Sequence, residues 1–119
     1  MKEEERLYKI HADFCQALAN PKRLKIINLL RNGEMSVNEM VARMGIHKAN
    51  LSQHLSLMRQ KGIVATRREG VNVYYHITNP KIVQACEIIR EALQEQLRAD
   101  ARVIRRGLKK MRNQSVKKA

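Results

Sequence analysis

Between Lys48 and Lys61 five amide and hydroxyl side chains stand close together: Asn50, Ser52, Gln53, Ser56 and Gln60. Such groups recognise other molecules by hydrogen bonding, because an amide presents donors and acceptors together and does not titrate. The nearby charges are cationic, with Lys48 before this group and Arg67 and Arg68 after it. Reactive chemistry has a thinner basis. There are two cysteines, Cys15 and Cys86, and four histidines, but no Cys-x-x-Cys, glycine-rich phosphate loop or paired carboxylates. A thiol enzyme would have to rest on Cys15 or Cys86 beside a histidine, so no enzyme is expected and no cofactor is implied.

The charge balance also points to binding. The 119 residues carry 24 Lys+Arg against 11 Asp+Glu, a formal +13, which favours a polyanionic partner. The excess is uneven: residues 101–119 contribute eight basic side chains, from Arg102 to Lys118, and no acid. With 44% hydrophobic residues the chain can fill one modest core. Its apolar runs are too short to cross a membrane, and the acidic start at Glu3, Glu4 and Glu5 does not read as a signal peptide. Two cysteines in such a chain suit a reducing compartment, so a cytoplasmic location is expected.

These polar residues must be held by helices. Leu7, Ile10, Phe14 and Leu18 form one apolar stripe over residues 3–19. Asn20-Pro21 then reads as a cap and a first helical proline, and Asn32-Gly33 as a stop. Ser36-Val37-Asn38-Glu39 fits a capping box, opening a short helix that ends at Gly45. In the next helix Leu51, Leu55 and Met58 share the inner side. Ala49, Gln53, Ser56 and Gln60 lie opposite, with Asn50 and Ser52 on the flanks. His47 stands at or near its N-cap. Two short helices around a tight glycine turn make a helix-turn-helix or an ordinary helical hairpin.

The segment after Gly62 favours the former. Ile63–Arg68 and Val71–Ile77 alternate as a β-hairpin about Glu69-Gly70, with Arg67 and Arg68 as a basic shoulder. Asn79-Pro80 opens a last helix whose apolar line runs Ile82, Cys86, Ile89, Leu93, Leu97, Ala101, Ile104, Leu108 and Met111. That line is longer than so small a body can cover, and a second copy of the chain is its simplest partner.

The order of elements, with Ala17-Leu18-Ala19-Asn20-Pro21-Lys22-Arg23-Leu24, Leu51-Ser52-Gln53-His54-Leu55 and Tyr74-Tyr75, resembles the ArsR/SmtB family of repressors. Arg59, Gly62-Ile63-Val64 and Arg67-Arg68-Glu69-Gly70 add to the likeness, which covers roughly Phe14 to Leu93. It implies a mainly α fold with a β-hairpin wing (α+β): a winged helix-turn-helix of four helices, two strands and a last helix. It also implies a homodimer through the first and last helices, seated on Leu7, Phe14, Ile82, Cys86, Ile89 and Leu93. The expected activity is repression, by binding an imperfectly palindromic double-stranded DNA operator that an inducer of unknown identity relieves. Residues 1–99 would form the DNA-binding and dimerisation domain, and 100–119 a basic extension.

Within that fold the helix from Lys48 would enter the major groove. Asn50 and Gln53 can pair with adenine, Ser52 can bond base edges or phosphate, and Ser56 lies on the same side. Lys48 and the helix N-terminus would meet phosphate, and Arg67 and Arg68 the adjacent backbone or minor groove. His54 occupies the family's usual histidine position, as a packing or phosphate contact.

The family's metal sites are not expected here. Ser36 and Asn38 stand where thiolates would, and Asn79, Lys81, Ala92 and Glu95 at the other site leave a single candidate ligand. Cys15 and Cys86 are either small buried apolar residues or a thiol switch. The sensing pairs of some relatives stand where this chain has Asn28 and Gln94. The extension reads as a dimer-pairing helix with Lys117 and Lys118 at its frayed end, or as a phosphate clamp. A non-specific RNA- or nucleoid-binding protein is the alternative to the whole reading, although Lys48–Lys61 is amide-bearing instead of densely basic.

Overall fold

Two of the four helices in the N-terminal half begin at a residue whose side chain caps them, Asn20 and Ser36. In the computed structural model, which describes residues 2–118 with side chains through Asn113, α1 (Glu3–Leu18) gives way at Asn20 to α2 (Pro21–Leu29). The Asn20 Oδ1 accepts from the amides of Lys22 and Arg23 at 2.9 and 3.2 Å, and Pro21 fills the first helical position. The helix tightens to a 3-10 turn over Leu30–Asn32 and stops at Gly33. Ser36 and Glu39 complete the reciprocal capping box of α3 (Val37–Met44), which ends on Gly45 with a left-handed φ of 65°.

The fourth helix, α4 (Lys48–Gln60), closes in a Schellman motif. The Gly62 amide donates to Arg59 and the Ile63 amide to Met58, at 3.0 and 2.9 Å. Gly62 has φ 74°, which glycine adopts without a Cβ clash. The chain then enters β2 (Val64–Glu69) and β3 (Asn72–Ile77), whose antiparallel register pairs Val64 with Ile77 and Glu69 with Asn72. The two-residue loop is Gly70-Val71, one position later than alternation predicts. Gly70 takes the positive φ that a tight hairpin loop needs at its first position.

A further strand is present. Met35 and Ser36 form β1 and pair with Tyr75 and Tyr74, so the sheet runs β1-β3-β2. Two residues are too few to show a period, which is why alternation does not reveal them.

The chain divides into two compact units, Met1–Gln84 and Ala85–Ala119. In the first, Ile26, Ile27, Leu30, Met40, Leu51, Leu55, Met58, Ile63 and Val64 make the core, with Ala17 and Met35 at its edge. The inner residues expected of α4, Leu51, Leu55 and Met58, are all fully buried. The second unit is the continuation of α5 (Pro80–Lys118), 39 residues and about 58 Å long. It therefore extends past residue 112 as one helix. The side chains of Lys117 and Lys118 lie outside the described residues. No described helix is long and apolar enough to cross a membrane.

Candidate nucleic-acid interface

Burying Leu51, Leu55 and Met58 fixes which side of α4 meets solvent. Lys48, Ala49, Ser52, Gln53, Ser56 and Gln60 are all exposed there. Among the described residues, the hydrogen-bonding atoms of Ser52, Gln53 and Ser56 engage no other side chain. The N-cap is His47, whose side chain makes no capping hydrogen bond. The first amides of α4 are thus left to solvent or to an anion, at the end where the helix dipole is positive.

Asn50 and His54 stand on a different flank, both half-buried. Lys22 Nζ donates to Asn50 Oδ1 at 3.0 Å. Arg23 Nη1 lies 3.4 Å from His54 Nδ1, and since a guanidinium only donates, that nitrogen accepts. Arg23 Nε also donates to the Ala17 carbonyl at 2.7 Å, so one arginine touches both the end of α1 and the middle of α4. Burial, aided by the positive charges of Arg23 and Lys22, holds the His54 imidazole below its ordinary pKa. Lys22 and Arg23 are the residues that patterning along α4 misses. Their signal is their place just after the Asn20 cap, which aims the first turn of α2 at α4.

The two wing arginines differ. They alternate along β2, and Arg68 is exposed with no acidic partner among the described residues. Arg67 Nε donates to Glu34 Oε2 at 3.0 Å, and Nη2 donates to the other Glu34 oxygen. Its Nη1 meets Glu69 Oε2, also at 3.0 Å, and its guanidinium lies 4.9 Å from the Tyr74 ring centre. The hydrogen bonds from Arg67 hold the Glu34 carboxyl below the usual range. Arg67 is therefore already neutralised within the wing, whereas Arg68 presents an unopposed charge.

The remaining predicted sites lie elsewhere. Leu7 is 66% exposed, Ile89 69% and Leu93 51%, while Phe14, Ile82 and Cys86 are half-buried. Both thiols are free, Cys15 exposed and Cys86 half-buried, and desolvation raises the Cys86 pKa. Among the described residues no three His, Cys, Asp or Glu side chains gather to hold a metal. Ser36 is engaged in the α3 capping box.

Comparison with known proteins agrees with this geometry. The family profile described as bacterial regulatory protein, arsR family, matches residues 20–66, from the cap of α2 into β2. The HTH-type transcriptional regulator Rv0081 of Mycobacterium tuberculosis is 39% identical over 92 residues, 76% of this chain and 81% of that protein. Its crystal structure superposes with a TM-score of 0.71 at 38% identity, covering 76% of this chain and 92% of that one. The homodimeric winged helix-turn-helix DNA-binding domain Mb0332 of Mycobacterium bovis gives 0.74 at 29% identity, covering 82% and 90%. The biofilm growth-associated repressor of Agrobacterium fabrum is 38% identical over 78 residues, 66% of this chain and 67% of that protein. With its helix-turn-helix, its wing and these relatives, the chain belongs to the ArsR family of bacterial regulatory proteins.

Proposed function

We propose that two copies of this chain pair through α1 and α5 and repress transcription in the cytoplasm by binding an imperfectly palindromic operator. The observation that carries this reading is the exposed, acid-free side of α4, whose amides and hydroxyls have no partners among the described residues. Gln53 reads a base edge in the major groove, with Ser52 and Ser56 bonding bases or phosphate. Asn50 reaches a base only by exchanging its bond with Lys22, so it serves as a flank contact in which Lys22 and phosphate share the work. Lys48, the open α4 amides and Arg68 bind phosphate, and His54 holds the helix in place through Arg23. Arg67 shapes the wing and contributes to phosphate binding only when phosphate displaces Glu34 or Glu69.

The exposed apolar residues of α1 and α5 support pairing. Each leucine or isoleucine withdrawn fully from water contributes roughly 1.5–3 kcal/mol, enough for a handful to drive association. Mb0332, a relative of this fold, is a homodimer. A two-fold pair would set its two α4 helices about 34–36 Å apart, one turn of duplex. Release belongs to an inducer, which does not act at the family's two familiar metal sites because their ligands are replaced. The test compares wild type and Gln53→Ala on a preferred duplex and on a scrambled one near 0.15 M salt. A loss confined to the preferred duplex supports the reading; an equal loss on both removes Gln53 from base recognition.

A further inference from the structure

The last turns of α5 carry a second pattern beside their apolar line. Setting Leu97 at zero and turning about 100° per residue, Ile104, Leu108 and Met111 stay within roughly 40° of it. Arg102, Arg106, Lys109 and Lys110 all fall at least about 120° away, on the opposite side, with Arg98, Arg105 and Arg112 between. All seven cations are exposed and, among the described residues, none has an acidic partner. Asp100, the one acid between Arg98 and Asn113, has Gln96, Leu97, Val103 and Ile104 at helical spacing, so it neutralises none of them.

This arrangement works against the helix that bears it. Arg98, Arg102, Arg106 and Lys110 form an unbroken i, i+4 ladder of like charge, and Arg105–Lys109 adds another pair. Each such pair opposes helix formation, as does Gly107 inside the helix. A polyanion laid along this side turns the repulsion between those cations into shared attraction. Seven cations over about 21 Å of helix also suit a duplex carrying one negative charge per about 1.7 Å.

We infer that the cationic side of α5 from Arg98 to Arg112 is a second nucleic-acid surface, binding duplex phosphates without sequence preference beyond those met by α4 and the wing. A lipid surface fits less well, because no aromatic residue follows Tyr75 and interfacial helices anchor through such rings. A second copy alone fits poorly too, since its own seven cations would add to the repulsion. The surface extends the proposed operator binding, yet either can fail without the other.

The test uses the full chain with Arg102→Gln, Arg106→Gln, Lys109→Gln and Lys110→Gln together, leaving the apolar line intact. Affinity for a random-sequence duplex of about three helical turns is followed by fluorescence anisotropy between about 50 and 200 mM salt. The plot of log affinity against log salt should become shallower by about 0.9 for each phosphate no longer neutralised, roughly 2 to 4 in total. The ratio of preferred to scrambled duplex should not change, which separates this surface from Gln53. An unchanged slope overturns the inference. So does an equal change when the same neutralisation is made at Lys2, Arg6, Lys9 and Lys25. Binding to phosphatidylserine vesicles that the variant abolishes, with its DNA slope intact, overturns it in favour of a membrane.

Discussion

Gln53 and Asn50 are both amides on α4, but only Gln53 has its donors and acceptor unclaimed. Replacing Gln53 with Ala should cost about 1–3 kcal/mol on the preferred duplex, measured as the ratio of affinities for preferred and scrambled DNA. The wing arginines allow a sharper contrast. Arg68→Ala should lower the salt slope by about 0.9, the share of a single phosphate. Arg67→Ala should change that slope less, because Glu34 and Glu69 already hold its charge. It should instead loosen the wing, seen as faster amide exchange in β2 and β3. His54 gives a pH signature. Its pKa is depressed in the fold, so the stability from the neutral ring is complete above the ordinary value of about 6.5 and declines as pH falls through the depressed one. A histidine titration by NMR should place His54 below the ordinary value of about 6.5. A midpoint at or above the ordinary value would exclude the Arg23 contact as an anchor of α4.

At the scale of elements, most of what holds α4 in place was legible because its signals are local. The Asn20 cap, the Ser36–Glu39 box and the burial of Leu51, Leu55 and Met58 all depend on residues within a turn or two of one another. Ser36→Ala should accordingly cost about 0.5–2 kcal/mol by thermal or denaturant unfolding. A change near zero would show that Glu39 alone satisfies the start of α3. The features that patterning missed come from residues far apart in the chain. Glu34 meets Arg67 across 33 positions, Lys22 meets Asn50 across 28, and Arg23 meets His54 across 31. Nothing periodic links such pairs, because they follow from how folded elements lie against each other. β1 belongs with them: Met35 and Ser36 become a strand only because β3 offers an edge. The hairpin loop sits one residue later for a similar reason, since the register places Gly70 where a positive φ is needed and leaves Glu69 in the ladder.

For the whole molecule, the proposed operator recognition would need two α4 helices held by one dimer. The exposed Leu7, Ile89 and Leu93 should make that dimer sensitive to charge. Leu93→Asp should shift the chain toward monomer in sedimentation and weaken DNA binding with it, while the fold of residues 2–84 persists by circular dichroism. Cys86 is half-buried and Cys15 exposed, so alkylation at Cys86 should be the slower of the two. Paired recognition is tested most sharply by selecting preferred sites from random duplex DNA with the 119-residue chain. The expected outcome is an enriched inverted repeat with half-site centres about 10–10.5 base pairs apart, bound by two chains and lost with Gln53→Ala. Enrichment of a single unrepeated site, or no enrichment above scrambled DNA at physiological salt, would contradict recognition by a pair of α4 helices.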